Sequence, residues 1–453
     1  MEINREHPEY TAWKAVWPRY RDLYTGGEQF ISHAERYLTA RHKEPLETYS
    51  ERVGRAFYEN YIGSIIDWYA TTLFRREPVL TFESRDERAR GFFNELAEDC
   101  DRHGSSVSDF FRRLLTEALT VGRGYVLLDF PKAPRRAGNR AEEEALGVSR
   151  GYFCPYTAEQ VTNWQRDGYG EYEWVVVRTE RLVEETGIVR RYARYDREKY
   201  AIYRQEEQAG RMLPAVLEEE GRHALARIGK VPLFEFTLGD GMWLMNKAAA
   251  VQLEHFNKSN ALAYALTTGL LAVPVVYSDS NVKQTLGDSY YLQLGKDDRF
   301  GWTEPEGKVF EVALKNIDRL KEEIYRICYT LNQAGGALSK SAELTGYSKQ
   351  RDYLVTQEVL RGFGDRVKDM LKRLMRTMAE AREDEIEIGV TGLDEFDIGE
   401  FTTELADAER LLKLGIGSAT LGAEVRKKVA LKYLCDASQE TKDRVAREID
   451  AAG

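Results

Sequence analysis

Between Leu314 and Glu380 the sequence spells out a long amphipathic helix, an interruption of small residues and a second long helix. No other stretch constrains the fold as much. Leu314, Ile317, Leu320, Ile324, Ile327, Cys328 and Leu331 recur at three- and four-residue spacing. That puts one apolar stripe on a helix whose other sides carry Lys315, Asp318, Lys321 and Glu322. The stripe predicts a helix from Leu314 to Gln333. It stops at Ala334-Gly335-Gly336-Ala337, because adjacent glycines cost a helix interior about 1 kcal/mol each relative to alanine. The pattern resumes with Leu360, Phe363, Val367, Met370, Leu371, Leu374 and Met378. The intervening loop, roughly 15 residues, is longer than a simple connection needs. It contains nothing that resembles an active site.

A chain of 453 residues can hold two or three domains with ample core. Its 43% hydrophobic and 31% charged residues fit a folded chain rather than a disordered one. The 26 tyrosines and seven tryptophans suit core packing and also extensive subunit interfaces. A net charge of −10 argues against a broad basic face gripping nucleic acid, but not against a passage through which a polyanion slides. Cys100, Cys154, Cys328 and Cys435 form no CxxC pair, which predicts no zinc site and a reduced, intracellular product. The first residues, Met1 to Glu6, are unlike a signal peptide. The most apolar run, Ala261 to Tyr277, is too short and too interrupted to span a membrane.

In chain order, His7 to Tyr24 reads as a helix with Trp13, Trp17, Tyr20 and Tyr24 at helical spacing, ended by Gly26-Gly27. A short helix around Ile31 to Ala40 follows. Pro45 then opens a longer helix that carries Phe57, Tyr61, Ile65, Trp68 and Leu73 and stops at Pro78. Residues 81–103 read as a connection and a charged helix. Ser108-Asp109 caps the next helix, and Tyr125 to Phe130 is a strand. Residues 131–150 read as a surface loop. From Gly151 to Asp240 the pattern turns to β: a strand at Trp174–Val177, a hairpin of Ile188–Tyr195 and Lys199–Tyr203, and a strand at Val231–Phe236 that Pro232 confines to an edge. These pieces predict an antiparallel sheet packed on the first helices.

Asn246 to Thr268 reads as a helix rich in amides and charges, which suggests sideways packing on neighbours such as other subunits. Short strands at Leu270–Tyr277, Tyr290–Leu294 and Lys308–Val312 form a small β insertion between it and the Leu314–Gln333 helix. Two strands, Glu385–Val390 and Glu395–Ile398, precede a helical tail from Phe401. The fold class expected is α+β, mainly helical.

Catalytic and cofactor signatures are missing. There is no Gly-x-x-x-x-Gly-Lys-Ser/Thr phosphate loop, no His-Glu-x-x-His and no Gly-x-Ser-x-Gly elbow. The six histidines lack ligand spacing, and Gly415-Ile416-Gly417 reads as a turn between helices. Glu385 and Glu387 alternate with Ile386 and Ile388, so both carboxylates face away from the core. No catalytic residue, metal site or cofactor is expected. The remaining candidate is Ser339-Lys340-Ser341, a loop tip offering hydroxyls and charge to a phosphate backbone, with Lys349 and Gln350 nearby. Its plainer reading is a solvated loop.

The order of elements resembles the portal proteins of tailed bacteriophages. The resemblance rests on His7-Pro8-Glu9-Tyr10 and Trp17-Pro18-Arg19-Tyr20-Arg21-Asp22-Leu23-Tyr24-Thr25-Gly26-Gly27. It rests also on Glu304-Pro305-Glu306-Gly307 before the Leu314 helix, and on the succession helix, β insertion, helix, loop, helix over 246–380. It covers nearly the whole chain as architecture and fits 131–240 least clearly.

The resemblance implies a twelve-subunit ring at one capsid vertex, a head–tail connector that conducts double-stranded DNA in packaging and ejection. It implies a wing of 1–245 and 351–400, stem helices 246–269 and 314–333, a clip of 270–313, a tunnel loop of 334–350 and a crown of 401–453. Ser339, Lys340, Ser341, Lys349 and Gln350 would face DNA, and Ile317, Leu320, Ile324, Ile327 and Leu331 would pack the stem. The implied partners are a large terminase ATPase, a head–tail adaptor, and the major capsid and scaffolding proteins, with no membrane. The implied location is the virion, after synthesis in the bacterial cytoplasm. Twelve copies would carry about −120 in charge, which keeps DNA from sticking to the channel. Two other readings stay open: a nucleic-acid-processing enzyme with an unrecognised site in 151–240, and another structural virion protein.

Overall fold

The computed structural model describes residues 2–132, 147, 149–183, 187–208, 211–269, 273–277, 297–303, 308–330, 346–394, 401–414, 416–434, 437 and 439–452. With 54% of the described residues in helix and 21% in strand, this is a mixed α and β protein, in line with the α+β expectation.

The predicted first helix is two, α1 (Pro8–Lys14) and α2 (Trp17–Thr25). Each has a proline in its first turn, where the missing N–H is no loss. Gly26, at φ 62°, turns the chain into α3 (Gly27–Ser32), and a 3-10 turn at Ala34–Arg36 follows. The helix expected from Pro45 to Leu73 is also broken, into α4 (Leu46–Gly54) and α5 (Tyr61–Leu73). Asn60 makes the break. Its Oδ1 accepts from the Gly63 N–H at 2.9 Å as an N-cap, and its Nδ2 donates to the Tyr24 carbonyl at 2.8 Å.

Next come β1 (Val79–Glu83), α6 (Glu87–Glu98) and α7 (Val107–Val121). The cap of α7 is Ser106 rather than Ser108, with its hydroxyl 3.2 Å from the Asp109 N–H. The other end of α7 closes on Gly122 at φ 90°, and two indoles seal it. Trp17 Nε1 donates to the Val121 carbonyl at 3.1 Å, and Trp243 Nε1 to the Thr120 carbonyl at 3.0 Å.

The strands β2 (Arg123–Asp129), β3 (Tyr152–Tyr156) and β10 (Leu233–Thr237) form an antiparallel sheet ordered β10-β2-β3. Pro232 precedes its edge strand, as the sequence predicts. A second antiparallel sheet takes β4 (Val161–Arg166), β5 (Tyr172–Val183), β6 (Gly187–Asp196), β7 (Lys199–Gln208), β8 (Arg211–Met212) and β9 (Val216–Arg222). The hairpin turning at Asp196 to Glu198 is there in register, with Tyr195 opposite Tyr200. This sheet packs on the first helices through Tyr10, Trp17, Trp164, Tyr172 and Val175.

The remaining elements are α8 (Leu244–Gly269), β11 (Val273–Tyr277), β12 (Arg299–Thr303), α9 (Lys308–Ile327), α10 (Gly346–Arg382), β13 (Glu387–Thr391), α11 (Phe401–Lys413), α12 (Ala419–Tyr433) and α13 (Gln439–Ala452). Lys308–Val312 is helix, not strand. Its alternation reads as β locally, but Phe310, Ala313 and Ile317 prolong the apolar stripe of α9. The strand paired with β11 is β12, from Val273 opposite Thr303 to Tyr277 opposite Arg299. The strand expected at Tyr290–Leu294, the one at Glu395–Ile398 and the surface loop of 131–150 from 133 to 146 lie outside the described residues. β1 pairs with β13 across some 300 residues, so its partner is invisible to local reading. In β13 Glu387 is exposed and Ile388 buried, as their alternation predicts.

The main core gathers α2, α5, α7, α8 and α10 around Phe30, Tyr69, Phe110, Phe111, Phe256 and Phe363. Helix α10 reaches that core through a close backbone approach at Gly364, where a Cβ would lie 2.1 Å from the Leu393 carbonyl oxygen. Gly364→Ala is therefore expected to destabilise the fold by about 1–3 kcal/mol despite alanine's higher helix propensity. Urea unfolding of the purified variant measures this, and an unchanged midpoint would refute the close approach.

Candidate functional site

Helices α8 and α9 lie side by side with the β11–β12 hairpin at their far end. Two sets of hydrogen bonds tie this limb to the body. The first comes from the polar residues of α8. Gln252 is fully buried; it accepts from the Ile62 N–H at 3.2 Å and donates to the Glu59 carbonyl at 2.8 Å. Asn257 accepts from the Thr39 N–H at 2.8 Å and donates to the Tyr37 carbonyl at 3.1 Å. Asn260 accepts from the Phe57 N–H at 3.0 Å and donates to its carbonyl at 2.9 Å. Each amide thus satisfies backbone groups that no helix or strand pairing reaches, the Ile62 N–H being one of the unpaired donors in the first turn of α5. The polar content that suggests subunit packing in the sequence is, at these three positions, absorbed within one chain.

His255, 1% exposed, completes this row. Its ring meets Tyr61 edge-on at 5.0 Å, and its Nε2 lies 3.7 Å from a Glu59 oxygen. Burial lowers its pKa and Glu59 opposes that effect, so the ring is neutral at pH 7.

The second set clamps the end of α9. The helix stops at Ile327, earlier than Gln333, because Tyr329 takes a left-handed backbone at φ 61°. Such a conformation costs a non-glycine residue about 1–3 kcal/mol and persists only where its surroundings enforce it. Three helices do so here. Tyr69 of α5 donates its hydroxyl proton to the Cys328 carbonyl at 2.7 Å. Lys247 of α8 donates to the Tyr329 hydroxyl at 2.8 Å. Thr356 of α10 donates to the Tyr329 carbonyl. Burial also pushes the Cys328 thiol up to about 12, so it is inert as a nucleophile at neutral pH.

Ile324 is fully buried; Ile317, Leu320 and Ile327 are half-buried. Leu331, Ser339, Lys340 and Ser341 lie outside the described residues. Lys349 and Gln350 belong to the first turns of α10, which begins at Gly346, and not to a loop reaching 350. Among the described residues no group of three or more His, Cys, Asp or Glu is placed to hold a metal, and no helix is long and apolar enough to cross a membrane. The amide row and the Tyr329 clamp are what sequence reading missed. The one available signal was the density of Gln, Asn and His on α8, whose partners are backbone groups and carry no sequence pattern.

No protein-family model matches the chain, and no curated protein does. Among solved structures it is similar to a chain of the neck of an empty gene transfer agent particle computed with C6 symmetry. The TM-score is 0.44 at 12% identity, over 84% of this chain and 92% of that one. A chain of the native gene transfer agent virion gives 0.41 at 13% identity, over 86% and 94%. A chain of the native particle's neck computed with C12 symmetry gives 0.39 at 13% identity, over 88% and 98%.

Gln252→Leu removes the donor and acceptor that serve Ile62 and Glu59 at almost constant volume. It is expected to cost about 1–3 kcal/mol in urea unfolding; no loss would show that the amide row is idle at this position. Ile324→Asp buries an unpaired carboxylate and is expected to cost more than about 3 kcal/mol. A normal yield and melting temperature for that variant would contradict the burial of the α9 stripe.

Proposed function

We propose that copies of this chain form a ring at one vertex of a phage-like particle and that the ring conducts double-stranded DNA. The observation that carries this reading is the α8–hairpin–α9 limb. It is hydrogen-bonded to the body at one end, yet around the hairpin and the start of α9 it leaves Tyr277, Val309, Val312 and Leu314 51–70% exposed. Apolar side chains uncovered in a row beside a fixed limb suit burial against the next copy in a closed ring.

In this reading α8 and α9 form the stem and the hairpin region, residues 270–307, the clip. Residues 331–345 form the tunnel loop, with Ser339, Lys340 and Ser341 toward DNA, while Lys349 and Gln350 stand at its helical root. Helices α11 to α13 form the crown, and the remaining body the wing. The ring has no catalysis of its own. A terminase ATPase docked on the clip drives DNA inward, and a head–tail adaptor later takes its place. The acidic charge of the assembled subunits repels DNA from the walls, and a lysine at the constriction supplies a weak, salt-sensitive contact.

Negative-stain images and native mass spectrometry of the purified chain are expected to show rings with a central hole, and the Val309→Asp, Val312→Asp double variant folded monomers. A monodisperse wild-type monomer at high concentration would overturn the proposal. Lys340→Ala is expected to leave rings intact and to alter DNA packaging or retention. Failure of that variant to assemble would remove Lys340 from the channel and give it a structural role.

A further inference from the structure

The C-terminal helices join the body through α13, which packs on α6 and β1, while α11 packs on α12 and α12 on α13. The contact is polar and buried. Gln439, Lys442 and Asp443 are 5%, 7% and 5% exposed. The Gln439 N–H donates to a Glu98 carboxylate oxygen at 2.8 Å, and its side-chain amide donates to the Leu80 carbonyl and to Asp443 Oδ1 at 3.1 Å. Lys442 Nζ lies 3.3 Å from Glu77. The second oxygen of Asp443 and the Oδ1 of Asn94, on facing helices, are both buried without a hydrogen-bond partner among the described residues. Two unfilled acceptors in one interface are costly, and a proton on the carboxylate turns one of them into a donor. A polar cavity of about 650 Å³ lies alongside, bounded by Arg75, Glu77, Glu98, Ser106, Gln439 and Lys442.

We infer that α13 is a proton-operated latch: the Asp443 carboxyl, when protonated, holds the C-terminal helices on α6 and β1, and its ionisation releases them. The charged groups around it do not abolish this. Arg90 of α6 and Arg447 of α13 favour the carboxylate, as do the amides of Gln439 and Asn94, while Glu98 and Glu77 are engaged by the Gln439 N–H and Lys442. Burial outweighs the arginines and amides and lifts the Asp443 pKa to about 6, from 3.8 when exposed. A raised pKa in the docked state means that the docking contribution is complete below the exposed value and is lost as pH rises through about 6. The latch is a property of the single chain and does not depend on ring formation.

Hydrogen exchange of the full chain tests it. Protection of α13, normalised to α7 in the same sample, is expected to fall about tenfold between pH 5 and pH 8 by proton linkage. Asp443→Asn should flatten that dependence, and Asp407→Asn, at an exposed position on α11, should preserve it. Protection that is flat in the wild type, or a slope that survives in Asp443→Asn or vanishes in Asp407→Asn, would overturn the proposal.

Discussion

The row of side-chain amides on α8 is the constraint on which the rest of the architecture depends. Between Tyr37 and Thr39, and again from Phe57 to Asn60, the backbone belongs to no helix or strand, and the first N–H groups of α5 have no partner within their helix. These N–H and C=O groups need partners, since leaving each one unpaired costs about 1–3 kcal/mol. Gln252, Asn257 and Asn260 supply them at intervals of three to five residues, which keeps all three on adjoining faces of one helix. The helix positions the loops, and the loops hold α4 and α5 in place. Because α5 carries Tyr69, the same arrangement reaches the end of α9.

That end is the second fixed point. A left-handed tyrosine held by a hydroxyl, an ammonium and a threonine from three helices sets the direction in which the chain leaves α9. The far end of the limb is different: Tyr277, Val309, Val312 and Leu314 are exposed, and nothing among the described residues buries them. Rigidity at one end and uncovered apolar surface at the other make the limb a unit suited to assembly. The C-terminal helices are attached by another logic, through a few buried polar groups whose balance a single proton changes.

Most of the helices were legible. Strong 3.6-residue periodicity placed α7, α9 and α10, and alternation placed the β6–β7 hairpin and the edge strand β10. The misreadings share a cause. Pro45 to Leu73 has continuous helical character, and only the capping of Asn60 across to Gly63 and Tyr24 breaks it. Lys308 to Val312 alternates like a strand, but contact with α8 rewards the helical phase and leaves Val309 and Val312 exposed. β1 has no local sign of its partner, which lies some 300 residues away. Of the candidate site, the stripe through Ile324 was readable, but the amide row and the clamp were not, because nearly all their partners are backbone N–H and carbonyl groups, which are present at every residue.

The sequence by itself determined the helical frame, the class of fold, the lack of a recognised catalytic motif and the small-residue interruption after α9, because periodicity, proline and glycine act locally. Only the tertiary structure decided where α9 ends, that Lys349 and Gln350 begin a helix, that the amides of α8 serve its own chain, and that Asp443 is buried with an unfilled oxygen. Each of these depends on a distant backbone group or on burial, and neither is encoded in the spacing of residues along the chain.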